Sequence, residues 1–152
     1  MIIDSSAIVA ILLREPGHDR LEERLAEATA PRIGAPTLVE VGVVLTVRLG
    51  SRGRLALARF VQDNRIGVVP FTEEHSETAT DAFSQFGKGR HPAKLDLGDC
   101  YSYATAKVAG EPLLCIGDDF PQTDLELVKL EGPLTVAEPA KSGPPARGRA
   151  LN

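Results

Sequence analysis

Four short apolar or helix-prone stretches of the chain each end with an acidic residue. The four stretches end in Asp4, Glu40, Asp99 and the pair Asp118 and Asp119. A carboxylate at a helix N-terminus is common, because it accepts backbone N–H bonds and meets the positive end of the helix dipole. Asp99 is predicted to be such a cap, with the dipole keeping it ionised. The functional question is whether the four acids converge.

Converging carboxylates repel each other, so a cluster of them usually persists by holding a cation. Ligands that are all oxygen favour Mg²⁺ or Mn²⁺ over zinc. At a phosphodiester such an ion polarises the scissile phosphate and lowers the pKa of an attacking water. The sequence contains no glycine-rich phosphate loop and no convincing Ser/His/Asp or Cys/His arrangement. Metal-assisted phosphodiester hydrolysis is therefore the chemistry that these acids would support.

The elements that must position the acids alternate between strand and helix. The pattern predicts short strands at residues 1–3, 32–35, 66–71 and 112–116, a final edge strand at 125–130, and helices between them. This order indicates a parallel, doubly wound α/β sheet with helices on both faces. Ligands of such sheets bind beyond the carboxyl ends of the strands. All four acidic sites are expected to point into that cleft.

Glu40 lies in a helix predicted for residues 36–49. One apolar face of that helix is shared by Val39, Val43, Thr46 and Val47, and Glu40 lies on its flank with Val44. A buried acid is costly unless it is paired or bound to a metal. Glu40 is therefore either a functional residue, which we favour, or a solvated residue at the edge of the face.

Length and composition limit the classes of protein that the chain can represent. Its 152 residues fit one domain, and its net charge of −4 argues against a broad electrostatic grip on nucleic acid. The apolar run at residues 7–13 is too short to cross a bilayer. With no basic leader and no metal-spaced cysteines, a reduced cytoplasmic protein is expected. A domain at residues 1–130 is predicted to precede a disordered Pro/Gly/Ala-rich tail at 131–152.

A basic loop spans residues 87–94, with the sequence GKGRHPAK. Its cations, Lys88, Arg90 and Lys94, could contact phosphates, although a solvated turn explains the same composition. His91 in this loop is expected to be a surface histidine rather than a catalytic base. The loop leads directly into the helix that carries Asp99.

Four pieces of sequence, MIIDSSA, APTLVE, GKGRHPAKLDLGDCYSY and PLLCIGDDF, occur in this order over about residues 1–130. In order and spacing they resemble the PIN-domain nucleases of the VapC toxin type. The resemblance implies a three-layer α/β/α domain with a short central parallel sheet. It also implies an endoribonuclease that depends on Mg²⁺ or Mn²⁺, a VapB-type antitoxin as partner, and a homodimer.

Taken residue by residue, the resemblance assigns Asp4, Glu40 and Asp99 to an acidic triad. It assigns Asp118 or Asp119 to a more variable fourth acid. These acids are the expected metal ligands, with Asp4 and Asp99 contacting the metal directly. Glu40 and Asp119 would hold or deprotonate the attacking water.

The resemblance also assigns supporting roles and reveals departures. Ser6 matches a hydroxyl that supports the site. Asp96 stands where relatives commonly have Asn, and Gly117 stands where many PIN domains outside this subgroup have an acid. Asp96 is therefore not expected to bind the metal. RNA as the substrate is implied by the resemblance, with the basic loop guiding its backbone.

Two other classes of protein could produce the same acids. A phosphoacceptor receiver domain also gathers carboxylates at the carboxyl end of a parallel sheet. The sequence disfavours it, because one acid alone follows the first strand and no lysine ends a late strand. The other alternative is a binding protein whose acids merely cap helices.

Overall fold

The computed structural model describes residues 1–130, so the predicted tail lies outside the described residues. Within that range, none of the helices has the length and apolar character needed to cross a membrane. The elements follow in the order β1 (Ile2–Ile3), α1 (Ser5–Leu13), α2 (His18–Glu27), β2 (Arg32–Gly34), α3 (Ala35–Leu49), α4 (Ser51–Asp63), β3 (Gly67–Val69), α5 (Glu73–Phe86), α6 (Leu97–Ala109), β4 (Leu113–Leu114) and a 3₁₀ turn (Phe120–Gln122).

The four strands form one parallel sheet in the order β3-β2-β1-β4. Ile2 of β1 lies opposite Arg32 on one side and opposite Leu113 on the other. The chain therefore adds β2 and β3 on one side of β1 and returns to add β4 on the other. The carboxyl end of β1 is the point at which the strand order reverses, which is where ligands of such sheets bind.

Successive residues of the strands face opposite sides of the sheet, as the pleat requires. Ile3 and Leu114 pack into a core formed with α1, α2, α3 and α4. Ile2 and Leu113 pack into a second core formed with α5 and α6. Helices thus cover both faces, which confirms the predicted three-layer α/β/α architecture.

The predicted strand at residues 125–130 is wrong as an element. Leu127 makes an isolated parallel bridge to Leu113, with Leu113 N donating to Glu126 O and Val128 N donating to Leu113 O, both at 2.9 Å. The other predicted strands are present but shorter. Two- and three-residue strands carry little periodicity, so their ends are hard to read from sequence.

The apolar face predicted for α3 does not face the sheet. Its residues Val39, Val43 and Val47 are 66, 58 and 80% exposed, and the buried residues of α3 are Thr37, Val41 and Leu45. Helix α4 packs tightly on α3 at Gly53, where a Cβ atom would lie 2.2 Å from the carbonyl oxygen of Leu45. The exposed valines form a stripe along α3 that we call the α3 valine stripe.

Candidate active site

Asp4 lies at the carboxyl end of β1 and is the N-cap of α1. Its Oδ2 atom accepts hydrogen bonds from Ser6 N at 2.9 Å and from Ser6 Oγ at 2.5 Å. The residue is 2% exposed, and its Oδ1 atom is buried with no hydrogen-bond partner among the described residues. A buried carboxylate oxygen is costly in that state, and a cation would satisfy it.

Ser6 joins the two neighbouring strand ends. Its Oγ atom donates to Asp4 and accepts from Ile116 N, 3.2 Å away, just beyond β4. The hydroxyl therefore fixes Oδ2 of Asp4 and leaves Oδ1 without a hydrogen-bond partner among the described residues. This geometry is compatible with the supporting role that the resemblance implied for Ser6.

Glu40 lies in the second turn of α3, beside Asp4. Its Oε1 atom accepts a hydrogen bond from Ser5 Oγ at 3.2 Å, and its Oε2 atom is buried without a hydrogen-bond partner among the described residues. The pKa of Glu40 is raised, first by burial and then by the negative charge of Asp4; Asp96 adds a smaller effect, and the Ser5 hydrogen bond opposes them. Glu40 is thus a member of the acid cluster.

Asp99 is not the helix cap that the sequence predicted. Asp96 is the N-cap of α6, and Asp99 lies three residues later in a reciprocal capping box. Asp96 Oδ1 accepts from Asp99 N at 3.0 Å, and Asp99 Oδ2 accepts from Asp96 N at 2.9 Å. The capping pattern of two acids three residues apart is the signal in the sequence that identifies this arrangement.

The charge state of Asp99 also differs from the prediction. Burial raises its pKa to about 7; the hydrogen bond from Asp96 N opposes this, and the charges of Asp96, Asp4 and Asp119 add to it. In the metal-free protein the Asp99 carboxyl is therefore harder to ionise than the predicted stabilisation by the helix dipole implies. A cation in the cluster would reverse this effect, because it favours the charged carboxylate.

Of the two later acids, Asp119 is the one whose charge acts on Asp99. Both residues are exposed and lie beyond β4. The backbone carbonyl of Asp118 accepts a hydrogen bond from Gln122 Nε2 at 2.9 Å, which fixes the turn that follows. The structure thus brings Asp119 to the cluster of Asp4, Glu40 and Asp99.

The two cysteines beside the cluster are not equipped for nucleophilic chemistry. Burial and then the charges of Asp4 and Asp99 raise the pKa of Cys115 to about 12. Burial and then the charges of Asp99 and Asp96 raise that of Cys100 to about 11. A thiol needs to ionise before it attacks. The acids therefore dominate the chemistry of this cleft.

The carboxylates fit a divalent cation that prefers oxygen ligands. The cluster offers two buried, unpartnered oxygens, Asp4 Oδ1 and Glu40 Oε2, and its pKa values are raised in the direction that a cation would relieve. Among the described residues, the group whose ligand atoms all lie within 4.8 Å of one another is instead His18, Asp19 and Glu22. The acid cluster is therefore a wider site, as suits an ion that keeps several waters.

The group formed by His18, Asp19 and Glu22 has a simpler explanation. His18 Nδ1 lies 3.0 Å from the carbonyl oxygen of Glu15, and His18 Nε2 lies 2.9 Å from Asp19 Oδ1. Both ring nitrogens are thus engaged, one by the segment just before α2 and the other by the first turn of α2. Asp19 is mostly exposed, and exposed acids near a histidine are common without a metal.

The basic loop leads into the first turn of α6. Lys88, Arg90 and Lys94 are exposed, and the loop is closed by the bridge between Gly87 and Leu95. The Arg90 guanidinium lies 5.8 Å from the centre of the Phe83 ring. His91 is half-buried, with its ring edge-on to Phe86, so it is less exposed than predicted.

A second basic surface was not identified from the sequence. It lies at the turn between α3 and α4 and consists of the exposed residues Arg48, Arg52, Arg54 and Arg59. Arg54 also lines, with Val39, Val43, Thr46 and Val47, a groove of about 410 Å³ along the α3 valine stripe. The spacing of three arginines within residues 48–54 was the signal available in the sequence.

Comparison with known proteins agrees with this architecture. A family model described as "PIN domain" matches residues 1–125. Ribonuclease VapC36 of Mycobacterium tuberculosis is 46% identical over 127 residues, which cover 83% of this chain and 91% of the relative. The receiver alternative is not favoured by these matches.

Two solved structures show the same fold at low sequence identity. VapC20 of Mycobacterium tuberculosis, described as a sarcin–ricin loop cleaving toxin, has a TM-score of 0.70 at 18% identity and covers 84% of this chain and 98% of its own. VapBC2 of Rickettsia felis, solved with a DNA fragment from its promoter, has a TM-score of 0.63 at 15% identity, with coverages of 84 and 96%. With the family match and the 46% identity, these findings establish that the chain belongs to the PIN-domain family and, within it, to the VapC ribonucleases.

Proposed function

We propose that this protein is a Mg²⁺-dependent endoribonuclease, with Mn²⁺ as an alternative ion, and the toxin of a cytoplasmic toxin–antitoxin pair. One observation carries the proposal: in the acid cluster beyond β1, Asp4 Oδ1 and Glu40 Oε2 are buried acceptor atoms without hydrogen-bond partners in residues 1–130. The 46% identity to a protein named as a ribonuclease supports the reaction class. An isolated helix-capping role would leave these two oxygens unexplained.

Asp4 and Asp99 are the proposed direct ligands of the metal. Ser6 engages Oδ2 of Asp4, so Oδ1 is the atom that would bind. When bound, the ion would polarise the scissile phosphate and lower the pKa of the attacking water. Loss of the Asp99 proton, with its pKa near 7, would accompany metal binding.

Glu40 and Asp119 are proposed to orient the attacking water and accept its proton. Ser5 holds Oε1 of Glu40, which leaves Oε2 available. We favour Asp119 over Asp118 as the fourth acid, because the charge of Asp119 acts on Asp99. The competing assignment makes Asp118 a metal ligand. Single substitutions of Asp118 and of Asp119, compared for RNA cleavage, distinguish the two assignments.

The basic loop is proposed to guide the RNA backbone toward the acids. Lys88, Arg90 and Lys94 are exposed and precede the first turn of α6, so phosphates bound there would lie next to the cleft. Each phosphate contact adds to the salt dependence of binding. A charge-reducing variant such as Lys94→Gln should weaken RNA binding and flatten its dependence on salt.

The α3 valine stripe is the proposed binding surface for a VapB-type antitoxin. Val43 and its neighbours line an apolar groove with Arg54, so a partner helix with apolar residues and flanking acids would match both features. The matched structure from Rickettsia felis is that of a VapBC pair. If a second copy of this chain occupies the stripe instead, light scattering will show a dimer that dissociates when the antitoxin binds.

We propose that the protein also forms a homodimer.

The experiment that tests the function is cleavage of single-stranded RNA by the purified protein with Mg²⁺, with Mn²⁺ and with EDTA. Asp4→Asn should abolish cleavage, and Glu77→Gln, which alters an exposed acid on α5, should leave it unchanged. Cleavage that persists in EDTA or in Asp4→Asn would contradict a metal-dependent mechanism. Absence of cleavage by the wild-type protein with either ion would contradict the ribonuclease proposal.

A further inference from the structure

Gly98 and Glu40 approach each other closely across the acid cluster. A Cβ atom at Gly98 would lie 2.6 Å from Oε2, 2.8 Å from Oε1 and 2.9 Å from Cδ of Glu40. Real Cβ atoms essentially never lie within 3.0 Å of such atoms. The carboxylate of Glu40 therefore occupies the space that any side chain at position 98 would need.

The backbone does not explain a glycine at this position. Gly98 lies in the first turn of α6, and its φ is not among the positive values of the described residues. In a helix, alanine is the better residue, since glycine has the larger conformational entropy to lose. The requirement for glycine at position 98 thus comes from the neighbouring carboxylate.

We propose that Gly98 is a positioning residue, whose missing side chain lets the Glu40 carboxylate lie against the first turn of α6 inside the metal site. The inference rests on the proposed metal-dependent activity of this cluster. Ser5 Oγ holds the same carboxylate through Oε1 at 3.2 Å. The Glu40 carboxylate is thus held between Ser5 and Gly98, and its Oε2 atom is buried without a hydrogen-bond partner among the described residues.

The proposal predicts an unusual outcome for Gly98→Ala. The atoms that a methyl group would meet belong to the end of a flexible side chain, so Glu40 can swing away while α6 stays folded. We expect unfolding midpoints at or above wild type, because alanine favours the helix. Affinity for Mn²⁺, measured by isothermal titration, should fall about 10- to 100-fold, as it does when a group that surrounds the direct ligands of a metal is displaced.

Kinetics separate a positioning role from a general defect. In Gly98→Ala at saturating metal, kcat for RNA cleavage should fall while KM for RNA stays within about twofold of wild type. Gly67→Ala is the matched control, since a Cβ there would meet Arg32 Cγ at 3.5 Å, an ordinary contact. It should retain wild-type metal affinity and kcat.

Shortening the acid should relieve the clash. Glu40→Asp withdraws the carboxylate by roughly 1.5 Å, the length of one carbon–carbon bond. The double variant Gly98→Ala/Glu40→Asp should therefore bind Mn²⁺ better than the product of the two single effects predicts. Strictly multiplicative effects would overturn the proposal.

Three further results would count against it or against its basis. If Gly98→Ala keeps wild-type Mn²⁺ affinity and kcat, the proposal is wrong. If Gly98→Ala does not fold, recovery of folding in the double variant supports the contact, and failure to recover overturns it. If the wild-type protein cleaves no RNA, the proposed function fails. Titration of Gly98→Ala and of the double variant with Mn²⁺ still decides the role of Gly98.

Discussion

Replacing Asp99 with asparagine should stabilise the metal-free protein at pH 8 while it abolishes RNA cleavage. Burial and the charges of Asp96, Asp4 and Asp119 raise the pKa of Asp99 from 3.8 to about 7. The folded state therefore disfavours the ionised carboxylate that predominates at pH 8. Asparagine removes the charge and keeps an oxygen that can accept the hydrogen bond from Asp96 N.

The magnitude follows from the displacement of that pKa. At about 1.4 kcal/mol per pH unit, a change from 3.8 to about 7 corresponds to at most about 4.5 kcal/mol. Asp99 is partly exposed, so solvent screening reduces the effect to about 1–2 kcal/mol. In a domain of this size, that gain raises the Tm by roughly 3–8 °C.

The pH dependence has a defined direction. The folded state binds the Asp99 proton more tightly than the unfolded chain, so this residue lowers wild-type stability as pH rises from about 4 to about 7. Asp99→Asn lacks this effect. The difference between the two proteins should be small at pH 4, grow through this range and be complete at pH 8.

Urea unfolding in EDTA at several pH values tests this prediction, and Glu77→Gln provides a matched control. Adding Mg²⁺ at pH 8 should stabilise the wild-type protein and not Asp99→Asn, because a ligand of the folded state shifts the equilibrium by mass action. A less stable Asp99→Asn protein at pH 8 would refute the reasoning. A difference independent of pH would assign the effect to the capping hydrogen bonds instead of the charge.

Further predictions concern packing and partners. Gly53→Ala places a Cβ atom 2.2 Å from the Leu45 carbonyl oxygen, which cannot move freely, and should cost about 1–3 kcal/mol in urea unfolding. Tyr103→Phe removes a 2.6 Å hydrogen bond to Asp124 and should cost about 1 kcal/mol by the same measurement. Val43→Glu, in the α3 valine stripe, should abolish copurification with the antitoxin and leave RNA cleavage intact; loss of both would show that the substitution disturbs the folded domain and would contradict a surface role in partner binding.

The sequence was sufficient to predict the alternating fold and the convergence of the acids on one edge of the sheet. Asp4 follows a strand directly, and the parallel order brings neighbouring strand ends together. The same reasoning predicted a position for Asp99 near the cleft, because a helix that follows a loop begins at that edge. These predictions depended on the order of strands and helices, which local sequence encodes well; the cap of α6 itself was predicted wrongly, since Asp96 and not Asp99 is its N-cap.

The sequence was insufficient where a face or a contact depended on a distant element. An apolar face has the same sequence pattern whether it packs on the sheet or stays exposed, so the pattern of Val39, Val43 and Val47 did not show that this face is exposed. The contact of Gly98 with Glu40 joins two helices, and neither helix alone indicates it. The pKa of Asp99 depended on burial, which sequence spacing does not give.

The central position of β1 has a consequence for synthesis on the ribosome. β1 is translated well before β4, the last strand of the sheet in chain order, yet Ile2 and Ile3 pair with β4, and Asp4 N donates to Leu114 O at 2.9 Å. Parallel pairing over such a sequence separation is completed late in folding. A nascent or prematurely terminated chain that lacks β4 is thus expected not to form the cleft. The nuclease activity should therefore arise only after all four strands of the sheet have been translated.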